Sequence, residues 1–289
     1  MDEGTIRKSV RDRYAGIARQ GGSCCGPAAC CEGTALAKDV SKKIGYSEEE
    51  LKSVPQGANL GLGCGNPIAL ASLSEGETVL DLGSGAGFDC FLAARQVGPR
   101  GKVVGVDMTP EMIEKARENA RKGDIENVEF RLGEIENLPV ADGSVDVILS
   151  NCVINLSPAK EKVFAEAFRA LRPGGRAMIS DIMLSKELPE PIRSSIAAYT
   201  GCVAGAVLKK EYLRLLETAG FREIRILEET TFSVDESEMD SYVRAIAGNV
   251  HLPMDAVREA AASVTSVRIY GVKPPAGAAD PSCSRSSPL

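Results

Sequence analysis

The chain has 289 residues, 44% of them hydrophobic and 26% charged, the make-up of a globular protein with one sizeable core. Its net charge of −6 offers no broad basic surface to nucleic acid, and no run of about 18 apolar residues provides a membrane span. The opening residues, MDEGTIRKSVRDRYAGIA, are charged throughout and lack the apolar centre of a secretory signal, so a cytoplasmic setting is expected.

Residues 2–20 read as a charged surface helix, and 21–34, GGSCCGPAACCEGT, as a small, Gly-rich segment. Residues 35–54 read as helical again, with Ser47 before Glu48, Glu49 and Glu50 as a cap and acidic first turn. Pro55 and Gly57 end that element, and GANLGLGCGNP at 57–67 is a loop. From residue 77 apolar runs at 78–82, 102–106, 127–132, 145–149 and 176–181 read as buried parallel strands. Helical segments near 87–97, 110–122 and 159–171 lie between them, and Pro173-Gly174-Gly175 reads as the turn before the fifth strand. Strands and helices alternating at this spacing form βαβ units in a doubly wound sheet. After residue 185 the pattern predicts helices at 189–203 and 209–219, strands at 221–227 and 266–272, and mostly helix over 236–262. The expected organisation is an N-terminal Cys-rich arm at 1–73, an α/β core at 74–185, and a cap at 186–273 whose last strand returns to the sheet. The tail at 274–289 has too few apolar residues to pack and is expected to be disordered.

Between the first strand and its helix stand Gly83, Gly85 and Gly87, which let backbone approach a ligand closely. Asp81 precedes them, where a carboxylate can face a cationic amino-acid moiety, and Asp107 ends the second strand, where an acid suits ribose hydroxyls. A dinucleotide enzyme more often shows G-x-G-x-x-G, whereas position 88 is Phe, and no phosphate loop ending in Gly-Lys-Ser/Thr occurs. VLDLGSGAGFD at 79–89 resembles the first motif of class I S-adenosylmethionine methyltransferases. GVDMTPEMI at 105–113 resembles their acidic second motif, and LRPGGR at 171–176 the turn before their fifth strand. The resemblance implies a seven-stranded, mostly parallel, Rossmann-like sheet. It also implies S-adenosylmethionine as cofactor, held by Asp81, Gly83, Ser84, Gly85, Asp107 and Met108. Glu134 and Ile135, at the third strand exit, resemble the family's adenine-edge segment, and Asn151 ends the fourth strand, where substrate and cofactor meet.

The chain has nine cysteines and one histidine, His251. An odd, unevenly spaced set of thiols without a secretory signal is not a disulfide framework and points to metal, metalloid or redox chemistry. One histidine leaves little for general acid–base catalysis. Cys90, early in a helix, reads as a small buried hydrophobe, and Cys283, in the tail, as incidental. Cys64 lies in a Gly-rich loop, Cys152 at the tip of the fourth strand, and Cys202 in the cap. Converging on one centre, these three would bind a soft, thiophilic ion. Trivalent arsenic keeps a lone pair and can attack a sulfonium methyl without losing a proton, so such a site needs no base. ANLGLGCGNP, NCVINLSP and YTGCVAGA, in this order around the core, resemble bacterial arsenite methyltransferases.

That resemblance implies Cys64, Cys152 and Cys202 as arsenic ligands, the latter two keeping methylated arsenicals. It also implies an N-terminal cysteine forming a redox disulfide with Cys64, and thioredoxin or glutathione as reductant. Cys31 is the expected partner, although Cys24, Cys25 and Cys30 are not separated from it by spacing, and CC-x₄-CC is not a zinc spacing. Two other functions stay open at this point: methylation of an organic acceptor such as a quinone or sterol-like ring, and arsenite sequestration without turnover.

Overall fold

The computed structural model describes residues 2–20, 33–231 and 259–277. Before the sheet come α1 (Glu3–Gln20), α2 (Gly33–Lys43), α3 (Glu48–Ser53) and α4 (Ile68–Ala71). The alternating part runs β1 (Thr78–Leu82), α5 (Phe88–Val97), β2 (Lys102–Asp107), α6 (Pro110–Lys122), β3 (Val128–Leu132), β4 (Val145–Asn151), α7 (Lys160–Ala170) and β5 (Leu171–Leu184). Then follow α8 (Glu190–Arg193), α9 (Ile196–Thr200), α10 (Lys209–Ala219), β6 (Arg222–Thr231) and β7 (Val264–Val272). The strands form one sheet in the order β3-β2-β1-β4-β5-β7-β6. The first five are parallel, and β7 runs antiparallel to both of its neighbours.

The expected seven-stranded, mostly parallel sheet is therefore present, and residues 222–272 contribute two of its strands. Burial on both faces explains why the strands read as continuous apolar runs. Leu80, Leu82 and Ile148 face a core with Val163, Phe164, Tyr212 and Leu216. Val79, Val147 and Leu149 face the opposite core with Phe91, Ile113 and Ala116. Strand order reverses between β1 and β4, so the crevice above their carboxyl ends is where such sheets bind ligands.

Local chemistry sets several boundaries. Ser47 and Glu50 form a reciprocal capping box at the start of α3, as the Ser-acid pattern predicts. The helix expected over 189–203 is instead split into α8 and α9, because the Ser195 side chain accepts from the Ala198 amide and starts a new helix. Pro173-Gly174-Gly175 is not a turn ahead of β5 but lies within it. Leu171 pairs with Val145, the register then shifts, and Gly174 and Gly175 bond to Lys273. The apolar Leu171, fully buried, anchors the strand early and leaves the Pro-Gly-Gly as a bulge.

Helix α1 is more than a charged surface helix. Ile6, Val10, Ile17 and Ala18 are buried, a stripe at helical spacing set against α6 and α9. Arg7 reaches Glu134 and Glu136, Arg11 reaches Glu134, and Arg19 pairs with Glu111. The expected helical stretch 236–262 lies outside the described residues except for 259–262, which are helical. Residues 278–289 of the expected tail, and Cys24, Cys25, Cys30, Cys31 and Cys283, also lie outside them. No described helix is long and apolar enough to cross a membrane.

The glycines separate into tight and open positions. A Cβ on Gly65 would fall inside contact distance of Ser180 Oγ and 3.1 Å from Arg268 Nε, whereas one on Gly16, within α1, meets nothing within 4 Å. Gly65→Ala is expected to destabilise by about 1–3 kcal/mol through overpacking. Gly16→Ala is expected to stabilise by about 0.5–1 kcal/mol through helix propensity. Urea unfolding of both variants checks the contrast, and equal effects would contradict it.

Candidate active site

The turn from β1 into α5 is built from backbone that only glycine adopts cheaply: Gly83, Gly85 and Gly87 have φ of 69°, 52° and 93°. A Cβ on Gly83 would collide with Val153, whereas Gly85 faces open space. Asp107 fastens this turn to the next unit, Oδ2 accepting from the Gly85 amide at 2.9 Å and Oδ1 from the Thr109 amide at 2.8 Å. Above the turn opens a cleft with about 1230 Å³ of empty space, counting the open solvent at its mouth. Its walls include Asp81, Gly83, Ser84, Gly85, Asp107, Met108, Ile135, Asn151, Cys152 and Cys202, ten of the residues expected from sequence. Helix α1 supplies a further wall through Arg7, Val10 and Tyr14.

Two expected residues lie off that wall. Glu134 faces Arg7 and Arg11 rather than the cavity, and its neighbour Glu136 lines the wall instead. Cys64 is not on the wall either, although Gly63, its neighbour in sequence, does line it. Cys31 lies outside the described residues.

One end of the cavity is acidic. Asp81 and Asp89 are both buried and both on its wall. Tyr46 donates to Asp89 Oδ1 at 2.6 Å, Asn151 Nδ2 lies 3.0 Å from Asp89 Oδ2, and the Cys90 thiol donates to Asp81 Oδ2 at 3.2 Å. Burial pushes Asp89 up to about 6 against the hydrogen bonds from Tyr46 and Asn151. Burial, then the charge of Asp89, pushes Asp81 well above the usual carboxylate range. Two buried carboxylates with no ion pair among the described residues are suited to an ammonium group. The open backbone at Gly85, the close approach at Gly83, and the buried, unpartnered Ser84 Oγ fit an amino-acid-bearing nucleoside such as S-adenosylmethionine.

The other end carries thiols. Cys64, Cys152 and Cys202 are all buried and unbridged. The nearby thiols of Cys202 and Cys64, then burial, push the Cys152 thiol well above the ordinary range. The Cys202 thiol donates to the Cys152 carbonyl at 3.0 Å, and Cys64 Sγ lies 3.8 Å from Ser180 Oγ. Asn151 sets Cys64 in place, its Oδ1 accepting from the Cys64 amide at 3.1 Å and its Nδ2 lying 2.9 Å from the Gly65 carbonyl. Cys152 and Cys202 both hold left-handed backbone, with φ of 57° and 66°. Such conformations are costly for non-glycine residues and cluster at functional sites.

Several residues of this region escaped the sequence reading. Asp89 and Tyr46 complete the acidic end, and the only hint of the former was an acid opening an otherwise apolar helix, FDCFLAARQV. Asp181 lies fully buried, and one of its oxygens falls within 4.8 Å of both Cys64 Sγ and Cys152 Sγ. An acid inside the apolar run MISDIML was its available signal.

A cofactor turn, a reversal of strand order and a cavity ending in convergent thiols define a methyltransferase-type fold and site. Residues 73–220 match the family described as "Methyltransferase domain". The chain is 51% identical over 249 residues to the arsenite methyltransferase of Halobacterium salinarum, covering 83% of this chain and 63% of that protein. It is 36% identical over 241 residues to the arsenite methyltransferase of Aquipseudomonas alcaligenes, covering 81% of this chain and 67% of that one. Among solved structures it is similar to an arsenic (III) S-adenosylmethionine methyltransferase from Chlamydomonas reinhardtii, with TM-score 0.60, 33% identity, and coverage of 82% and 74%. The chain belongs to the methyltransferase family and, within it, to the arsenite methyltransferases. It spans 63% and 67% of the lengths of the two curated relatives.

The acidic pair predicts a pH effect. Both carboxyls have a higher pKa folded than unfolded, so folding favours their protonated forms. Their contribution to stability is fully present below the ordinary aspartate range near pH 4 and, for Asp89, lost as pH rises through about 6. Ligand-free protein should therefore lose thermal stability relative to Asp89→Asn between those values. Parallel melting-temperature profiles for the two would contradict the assignment.

Proposed function

We propose that the chain transfers the methyl group of S-adenosylmethionine to trivalent arsenic held by Cys64, Cys152 and Cys202. One observation carries this reading: Cys64 Sγ and Cys152 Sγ lie within 4.8 Å of each other, the Cys202 thiol donates to the Cys152 carbonyl at 3.0 Å, and Cys152 and Cys202 both line the cavity. Arsenite binds by exchanging three hydroxyls for three sulfurs, each thiol proton leaving with a hydroxyl as water. The relatives' name and the solved arsenic (III) enzyme support the choice of element.

The cofactor supplies an electrophilic methyl group. Asp81 and Asp89 receive its ammonium, the backbone at Gly83, Ser84 and Gly85 cradles it, Asp107 addresses the ribose, and Met108 and Ile135 provide apolar walls. Asn151 keeps Cys64 in register with Cys152. Residues 186–208, between β5 and α10, carry Cys202 to the cavity wall. Arsenic attacks with its lone pair, so no base removes a proton; the chain's task is positioning and exclusion of water.

Alkylation takes both electrons of that lone pair, and returning arsenic to the trivalent state requires two electrons. A pair of thiols supplies them by forming a disulfide, Cys64 with an N-terminal cysteine, for which we propose Cys31 from among the four candidates. Thioredoxin or glutathione then reduces the disulfide. A cytoplasmic setting, where thiols stay reduced, suits this chemistry.

Incubating the protein with arsenite, S-adenosylmethionine and a thiol, then separating arsenic species, tests the reading. Methylated arsenic is expected from the native chain, and a loss of at least about 100-fold from Cys152→Ser and Cys202→Ser, equivalent to about 2.7 kcal/mol or more. Full activity in either variant would point to an organic acceptor. Tight arsenite binding with no methylated product would point to sequestration.

A further inference from the structure

Asp181 has no part in the arsenic chemistry above, yet it lies fully buried beside two of the same thiols. Its ligand oxygen and the sulfurs of Cys64 and Cys152 all lie within 4.8 Å of one another, and all three residues are buried. The carboxylate is held from behind. Oδ1 accepts from Asn155 Nδ2 at 2.8 Å and from the Ile182 amide at 2.9 Å, and Oδ2 accepts from the Tyr212 hydroxyl at 3.1 Å. That leaves Oδ2 a lone pair. Neighbours that fix a ligating group while leaving it a free lone pair are the usual supporting shell of a metal ligand.

The geometry points to a second binding capacity: Cys64, Cys152 and Asp181 form a site for a divalent thiophilic cation of the zinc and cadmium class. Trivalent arsenic is soft and is satisfied by three sulfurs. A borderline cation takes two thiolates and a carboxylate, with water in an open fourth position. Metal–sulfur bonds of about 2.3 Å place two sulfurs on a tetrahedral centre roughly 3.8 Å apart, so the two sulfurs, within 4.8 Å of each other, close with a shift of about an ångström or less. Two thiolates and one carboxylate carry three negative charges, and binding releases the two thiol protons to solvent.

Cys202 is the divergence point. Its thiol is turned to the Cys152 carbonyl, and it is not part of the compact group formed with Asp181. Cys64 and Cys152 are therefore shared between two overlapping triads, one completed by Cys202 and one by Asp181. The cation site does not depend on the arsenic reading. The consequence that cation and arsenite exclude each other does.

The test uses the reduced full-length chain with Cys24, Cys25, Cys30, Cys31 and Cys283 replaced by serine, so that only the core thiols respond. Cadmium is added while thiolate-to-cadmium charge-transfer absorbance is followed, and X-ray absorption counts the sulfurs. One tight site with two sulfurs and the rest oxygen is expected. Asp181→Asn should weaken it at least about tenfold, or about 1.4 kcal/mol, and Cys202→Ser should leave it in place. Three sulfurs on cadmium, an unchanged affinity in Asp181→Asn, or loss of cadmium in Cys202→Ser would each overturn the site. If Asp181→Asn does not fold, the sulfur count and the Cys202 variant decide. Displacement of cadmium by arsenite is also expected. Cadmium bound in this way but indifferent to arsenite would uphold the cation site and overturn the placement of arsenic.

Discussion

One carboxamide joins the two chemistries of this pocket. Asn151 ends β4, the strand beside the topological switch, and its side chain faces four groups at once. Nδ2 lies within 2.9–3.0 Å of the Tyr46 hydroxyl, the Gly65 carbonyl and Asp89 Oδ2, while Oδ1 accepts from the Cys64 amide. These partners come from the loop before β1, from the residue just ahead of the Ser47 cap of α3, and from the helix after the glycine turn. A Cβ on Gly63 would stand 2.8 Å from the Asn151 amide, so that glycine is the condition for the loop's approach. A typical hydrogen bond of this kind contributes about 1 kcal/mol, and an unmet buried partner costs about 1–3 kcal/mol. The amide therefore couples the buried carboxylate of Asp89 to the loop that carries Cys64.

The cavity is polarised by that arrangement. At one end Asp81, Asp89 and Asp107 are all pushed up by burial, which marks a place short of positive charge. At the other end the Cys152 thiol is pushed up as well, so it is a thiol until something soft displaces its proton. Neither end is stable as a set of bare charges. Each becomes so only with its own kind of ligand, a cation at the acids and a thiophile at the sulfurs. The sulfonium methyl donor and sulfur-bound arsenic of the proposed reaction match these two ends in charge and softness.

Features that depend on local sequence were legible before the structure. The five parallel strands, the glycine turn, Asp107 and the Ser47 cap all follow from near neighbours: apolar runs, positive-φ residues and a Ser-acid spacing. What spacing could not reveal was convergence. Cys64 and Cys152 meet through the amide of Asn151, 87 positions from Cys64, and no periodicity encodes that contact. Helix α1 read as a solvated face because its charges outnumber its apolar stripe, yet Arg7, Val10 and Tyr14 close the cavity. Glu134 and Glu136 illustrate the same limit. Two acids lie at the exit of one strand, and the direction of a single turn decides which lines the cavity and which pairs with Arg11.

Backbone strain gives an independent reason to read the thiols as functional. Cys152 and Cys202 stand in left-handed conformations, at φ of 57° and 66°, where glycine would sit without penalty. Each costs on the order of 1–3 kcal/mol, set against a total folding stability of only about 5–15 kcal/mol. Packing alone does not require a cysteine at either place. Small buried hydrophobes are accommodated in ordinary helix or strand geometry, as Cys90 is within α5, fully buried. The left-handed turn at Cys152 follows directly from Asn151, so the residue that fixes the loop and the residue that presents the central sulfur occupy adjacent positions on one strand tip. The strand is rigid up to Asn151 and bent immediately after it. That bend accompanies a Cys152 sulfur within 4.8 Å of Cys64 Sγ and a Cys152 carbonyl 3.0 Å from the Cys202 thiol, an arrangement that differs from a continued extended strand alternating its side chains between the two faces of the sheet.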